Sequence, residues 1–335
     1  MLSKRAFFLA LAVAVAAIVA VNLLVAGRAH RSVPRRVMQH ASDLPSSQVL
    51  AIGNSLMVAG FDESVFDSAA ALPVMHGAVN LGLGASSPVE QLLLFRYALA
   101  NGMRPRLLLY GFYDFQLTDP VHLATQDFIG NRSMLYYVEP EYALRYYTLS
   151  VHDRAEFEAM RFLPMLVHRG AAWSRVEKLR RAIARQGMSA QSANRFGFAS
   201  DFSLLEAAST RDFDAHCISS ESSPLAGPVE ELFREAHSGG IHIVVVEMPM
   251  SPYHLRTFYA AAAWQPYLAH VRSLVSVYDA TFVDASTWIK GSSFFEDNLH
   301  LTSAGRREFS SILGARIRAQ RDPQLARSAS SRSSP

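Results

Sequence analysis

Three residues are spaced for nucleophilic chemistry. Ser55 stands in Gly53-Asn54-Ser55-Leu56, directly after the apolar run Gln48–Gly53 (QVLAIG). Asp297 and His300 lie three apart within Phe295–Thr302 (FEDNLHLT), just before a C-terminal helical stretch. A serine hydroxyl becomes a nucleophile when a neighbouring base takes its proton, and the base works best when a carboxylate orients it. Within one turn, a carboxylate three positions ahead reaches the imidazole. A further segment, Asn80-Leu81-Gly82-Leu83-Gly84, follows a second apolar run, and glycine lets a backbone N–H come close to a ligand. It lacks the G-x-G-x-x-G spacing of a dinucleotide-binding turn. Plainer readings exist for each: a capping serine, an ordinary glycine turn, and a capping aspartate beside a surface histidine.

The elements that would position these residues alternate. Gln48–Gly53, Gly77–Leu83, Arg106–Gly111 (RLLLYG), Ile241–Met248 (IHIVVVEM) and Thr281–Ala285 (TFVDA) read as strands. Short apolar runs of this kind are typical of parallel strands buried on both faces. Pro88–Asn101, Pro228–Ser238, Arg256–Tyr278 and Thr302–Gln320 read as helices, the last with Thr302 or Ser303 as N-cap. The alternation predicts an α/β class: a three-layer α/β/α, flavodoxin-like parallel sheet. In such sheets, functional groups gather beyond the carboxyl ends of the strands, where Ser55 and Gly82 fall.

The ends of the chain differ from its middle. Ala6–Gly27 is twenty-two residues without a charge, following a basic flank at 1–5 that holds Lys4 and Arg5. As a helix it is long enough to cross ~30 Å of hydrocarbon. Its length and the following Arg28 favour an uncleaved transmembrane signal anchor at 6–27 over a cleaved peptide. Residues 28–46, with Pro34 and Pro45, read as a linker. Residues 117–227 interrupt the alternation and read as an inserted, largely helical subdomain. Residues 321–335, rich in Ser and Arg, read as a disordered tail. The body is thus assigned to 47–116 and 228–320.

Net charge is +3, yet residues 1–36 hold six basic and no acidic side chains, and residues 316–335 hold five Arg against Asp322. The stretch between is therefore acidic, at −7, the reverse of a nucleic-acid-binding body. A single cysteine, Cys217, excludes an internal disulfide and a cysteine-built zinc or iron–sulfur site. The histidines have no metal-site spacing such as H-E-x-x-H. No metal and no cofactor are expected.

Taken together, the Ser, Gly and Asp-x-x-His segments resemble the SGNH/GDSL hydrolase superfamily, in the right order over residues 47–116 and 228–315. The resemblance implies Ser55 as nucleophile, His300 as general base and Asp297 as the residue orienting it. It also implies backbone N–H groups of Ser55 and Gly82 in the oxyanion hole. Two positions depart from the pattern. Asn54 stands where Asp usually precedes the serine. Tyr113, in Gly111-Phe112-Tyr113-Asp114, stands where the third block has its oxyanion-hole Asn.

Within the superfamily, the N-terminal anchor, the large insert and the altered third block are similar to extracytoplasmic polysaccharide O-acetylation and D-alanine transfer proteins. That likeness implies a membrane-anchored serine esterase or O-acyltransferase acting on acyl esters of a cell-envelope polymer, with a membrane-bound O-acyltransferase as partner. A non-catalytic scaffold or glycan-binding protein is the alternative. The expected location is the inner (cytoplasmic) membrane, single-pass, with the body outside. Against that orientation, Arg28, Arg31, Arg35 and Arg36 outnumber Lys4 and Arg5, and the positive-inside rule applied alone puts the body in the cytoplasm as a lipid esterase. Among other residues, Tyr136–Tyr147 fit subdomain packing better than sugar stacking, His242 fits a structural role, and Glu247 fits a substrate contact or a helix cap equally. Arg175–Arg185 fits a solvated helix face.

Overall fold

The computed structural model describes residues 4–29, 33–72, 77–118, 140–147, 149–163, 165–166 and 206–331. Two compact units are present, one of Val37–Leu123 with Gln191–Pro335, the other of Met1–Arg36 with Ala124–Ala190. The larger unit holds a five-stranded sheet: β1 (Val49–Gly53), β2 (Ala78–Asn80), β3 (Leu107–Phe112), β4 (His242–Glu247) and β5 (Thr281–Asp284). Every pairing is parallel and the order is β2-β1-β3-β4-β5. This is the flavodoxin-like order, whose switch point lies between β1 and β3. All five strands fall where the sequence places them. β1 and β3 are buried throughout, which is why each reads as an unbroken apolar run.

Helices cover both faces. On one side, α5 (Pro88–Ala100) starts with a capping box in which Ser87 and Glu90 satisfy each other's backbone N–H groups, with Pro88 in the first turn. It packs against the helix Gly227–Ser238, and Arg96 pairs with Glu231 and Glu235 across that contact. Tyr110 points to this side, bonded to Gln91 and edge-on to Phe233. Gly111, next along the strand, faces the opposite side, where a Cβ would strike Met57 and Met248. That side carries α3 (Ser55–Gly60), α4 (Glu63–Ala70) and the last helix, Ser303–Ser331. A Cβ on Gly314 would lie 2.7 Å from the Phe66 carbonyl, so this glycine permits close helix packing.

Four sequence expectations are corrected. Inside the 28–46 linker, Val33–Asp43 forms a helix, α2, that buries Met38 and Ala41. Its Pro34 sits in the first turn, where a missing N–H costs nothing. The stretch Arg256–Tyr278 is not one helix: a π-helical turn at Leu255–Tyr259 and a break precede Trp264–Ser276. The last helix continues past Gln320 to Ser331, into the segment read as a disordered tail. Finally, Glu206–Ser220, placed in the insert, is a helix that packs on the body through Phe213 against Trp264 and Phe115. Helices at Pro140–Tyr146 and Val151–Phe162 belong to the smaller unit. The insert residues Tyr136, Tyr137 and Arg175–Arg185 lie outside the described residues.

The smaller unit also contains α1 (Lys4–Ala29). Its apolar stretch Lys4–Val25 is long and apolar enough to cross a membrane.

Candidate active site

Ser55 opens α3 immediately beyond the carboxyl end of β1. Asn54 caps this helix, its Oδ1 accepting the Leu56 N–H at 2.8 Å. The turn is tight: a Cβ on Gly53 would lie 2.8 Å from the Gly111 carbonyl and 2.9 Å from Met57 Cβ. Glycine is therefore required where β1 passes β3.

Asp297 and His300 occupy a loop closed by the Phe295–Leu301 bridge and by Glu296 N–H donating to the His300 carbonyl at 2.8 Å. Asp297 Oδ1 accepts the N–H groups of Leu299 and His300 at 2.8 and 2.7 Å. Asp297 Oδ2 is 2.8 Å from His300 Nδ1, and both side chains are 2% exposed. Burial pushes the Asp297 carboxyl pKa up, but the bonds from the His300 ring, the His300 N–H and the Leu299 N–H outweigh it. The net result is a carboxyl held below its ordinary value. A carboxylate accepting at Nδ1 fixes the tautomer with its proton there, leaving Nε2 as the acceptor. His300 Nε2 lies 2.9 Å from Ser55 Oγ, across 245 positions of sequence. The fold thus brings all three residues into one hydrogen-bonded chain, sealed at its carboxylate end.

The second segment is arranged differently from its expectation. The Gly82 N–H donates to Asn80 Oδ1 at 2.8 Å, so it is already engaged within its own turn. Asn80 Nδ2 donates to the Met57 and Phe61 carbonyls, both at 3.1 Å, which ties the end of α3 to β2. A Cβ on Gly82 would lie 2.9 Å from both Asn80 Oδ1 and Val58 N. Asn80 and Gly82 are therefore a clamp on the nucleophile's helix. The turn that follows holds Ala85 at φ 55, and its Ser86 Oγ reaches the Gly53 carbonyl at 3.3 Å.

Tyr113 and Gln116 follow β3. Burial and then the Asp114 carboxylate push the Tyr113 hydroxyl pKa up. Gln116 is 5% exposed, and its Oε1 accepts from Asn54 Nδ2 at 3.1 Å. The sequence offered no signal for this pair; only the adjacency of β1 and β3 creates it. It also accounts for Asn at position 54, whose two arms serve Leu56 and Gln116.

A second histidine–carboxylate pair, partly buried, lies beside β3 and β4. His254 Nε2 is 2.9 Å from Asp114 Oδ1, and Asp114 takes a left-handed φ of 47. Tyr259, in the π-turn, stacks on Trp264 and accepts the Asp114 N–H at 3.2 Å. Glu247 is fully buried; among the described residues neither carboxyl oxygen makes a hydrogen bond of ordinary geometry, and Tyr259 and Asp284 are its nearest polar neighbours. It is neither an exposed substrate contact nor a helix cap. Desolvation, then Asp284 and Asp114, raise its pKa well above the ordinary carboxylate value, against a smaller lowering by the Tyr259 hydroxyl. His242 is exposed, at the start of β4. Among the described residues, no group of three or more His, Cys, Asp or Glu side chains could hold a metal ion.

No family model matches the sequence, and no curated protein does. The structure is similar to a number of solved ones, three of which follow. A protein of Bacteroides fragilis proposed to be an acylhydrolase has 14% identity and TM-score 0.39, with 85% of this chain and 96% of that one covered. A GDSL-like lipase of Bacteroides thetaiotaomicron has 11% identity and TM-score 0.39, with coverage of 86% and 98%. A lipase/acylhydrolase of Enterococcus faecalis has 10% identity and TM-score 0.38, with coverage of 82% and 96%. At these values the likeness is distant, and the fold assignment rests on the strand order given above.

Proposed function

We propose that this chain is an SGNH/GDSL-type serine hydrolase that acts on acyl esters through an acyl-enzyme on Ser55. The observation carrying this reading is the unbroken chain from Ser55 Oγ to His300 Nε2 and from His300 Nδ1 to Asp297, at 2.9 and 2.8 Å. Ser55 Oγ attacks the ester carbonyl carbon as its proton passes to His300 Nε2. The tetrahedral intermediate then collapses, and the same proton leaves with the alcohol. A second hydroxyl, from water or from a sugar, gives its proton to His300 and attacks the acyl-enzyme; the bond from the acyl carbon to Ser55 Oγ then breaks as His300 returns the proton to that oxygen, freeing Ser55. Proton transfer by a positioned base contributes ~10²–10⁴-fold to such steps.

Carried further, the reading is of a membrane-anchored O-acyltransferase or esterase. The polymer is an extracytoplasmic polysaccharide, α1 is an inner-membrane anchor, and a membrane-bound O-acyltransferase is the acyl donor's source. The length and apolar character of α1 support the anchor. A reporter fused to the carboxyl terminus decides the side of the membrane. The committed Gly82 N–H favours the second reading, a non-catalytic scaffold, because it removes one expected donor. The test is labelling of the full chain with a fluorophosphonate and hydrolysis of a simple acetyl ester. Labelling and turnover that vanish in Ser55→Ala support the enzyme; an unlabelled, inert parent protein favours the scaffold.

A further inference from the structure

The hydrogen-bond directions around Asn54 determine how the carboxamide of Gln116 is turned. Asn54 Oδ1 is occupied by the Leu56 N–H at 2.8 Å, so the arm Asn54 offers to Gln116 is its NH₂ group. The arm of Gln116 that meets it, at 3.1 Å, must be the oxygen. The Gln116 NH₂ group therefore faces away from Asn54. It makes no hydrogen bond to any described residue. Gln116 itself is held at both ends: its N–H donates to the Tyr113 carbonyl at 3.2 Å, and its side chain is pinned by Asn54. Asn54 is in turn the cap of the helix whose first residue is Ser55. Register places this loop directly alongside the nucleophile's turn, since Gly53 pairs with Gly111.

An attack by Ser55 creates a negative oxygen, which is stabilised only by donors fixed in advance near the nucleophile. With the Gly82 N–H committed elsewhere, a donor is needed from another element. We propose that the Gln116 carboxamide supplies it, donating an N–H to the oxyanion that forms on Ser55. This rests on the serine-hydrolase reading above. Tyr113 is the competing donor, but no bond to a described residue fixes its hydroxyl, whereas the Asn54 bond orients Gln116 in advance. The relay also gives Gln116 a reason to be buried while leaving one polar arm unused.

The experiment compares Ser55→Ala, Gln116→Met, Gln116→Glu and Tyr113→Phe in the full chain, with acetyl ester hydrolysis and thermal unfolding as readouts. Gln116→Glu keeps an oxygen for Asn54 and loses the donor. The expected result is a kcat lowered ~10²–10³-fold in both Gln116 variants, the usual cost of one oxyanion donor, with KM within a few fold of the parent and an unchanged melting temperature for Gln116→Glu. Should Gln116→Glu retain the parent kcat, or should Tyr113→Phe carry the loss in its place, Gln116 is not the donor. If Ser55→Ala stays fully active, the serine-hydrolase reading itself fails, whatever Gln116 does. Should Gln116→Met fail to fold, Gln116→Glu alone decides.

Discussion

Ser251 Oγ donates to the Asn298 carbonyl at 2.8 Å, tying the end of β4 to the loop that carries Asp297 and His300. The same oxygen accepts the His254 N–H at 3.1 Å, capping the short helical turn at Pro252–His254. One hydroxyl therefore braces the loop of Asp297 and His300 and the His254–Asp114 pair together. Losing a cap typically costs ~1 kcal/mol, and leaving the half-buried Asn298 carbonyl without its donor adds to that. Ser251→Ala is expected to lose about 1–3 kcal/mol in urea unfolding. Its kcat should fall more than its KM rises, and Ser251→Thr should restore part of both.

Removing the carboxylate behind His300 leaves the imidazole free to adopt the wrong tautomer. Asp297→Asn is expected to lower ester hydrolysis ~10³–10⁴-fold while the fold is retained. Circular dichroism and single-turnover kinetics on the full chain check both halves.

The Asp297 carboxyl also contributes to acid stability, and the sign is fixed by the direction of its shift. Its pKa is held below the ordinary 3.8 in the folded state. The unfolded chain then binds the proton more readily, so the contribution is complete above 3.8 and is lost as pH falls through the lower folded value. Melting temperatures from pH 6 downward should separate the parent from Asp297→Asn least at the acid end.

Glu247 should behave in the opposite sense. Its folded carboxyl titrates well above the ordinary 4.5, so the folded state holds the proton longer than the unfolded chain. Stability is then full below 4.5 and declines as pH rises toward the folded value. Glu247→Gln is expected to flatten this decline, and the two proteins should converge in acid. A variant with the same pH slope as the parent would show that Glu247 is not the group responsible.

Gly53→Ala tests the close passage of β1 and β3. The new methyl would press on the Gly111 carbonyl and on Met57 Cβ, one a backbone atom and the other at the root of its side chain. A loss of ~1–3 kcal/mol is the usual cost of such overpacking, and ester hydrolysis should fall with it because Ser55 is two residues away.

Much of this architecture was legible from the amino-acid sequence, for a physical reason. β1, β3 and the interior of β4 are covered on both faces, so Val49–Gly53, Leu107–Phe112 and Ile243–Val246 cannot alternate with polar residues and stand out as continuous apolar runs. Ser55, Asp297 and His300 were visible because their chemistry depends on residue type and short spacing. Helix α2 was hidden by Pro34, which is a breaker in a helix interior but not in a first turn. The commitment of the Gly82 N–H and the pairing of Asn54 with Gln116 were invisible, because each depends on which elements become neighbours. The burial of Glu247 belongs to the same class, since a glutamate at a strand end is ordinarily exposed.

The last helix closes the body against its beginning. Ser310 accepts the Asp62 N–H at 2.8 Å and donates to the Gly60 carbonyl at 3.2 Å, while Gly314 lets the helix settle on Phe66. A chain still emerging from the ribosome has its serine long before the partner that would activate it, and lacks the segment that holds the two together. The proposed reactivity is thereby withheld until the last helix has been made and docked, and a product truncated before Ser310 is expected to be inert as well as unstable.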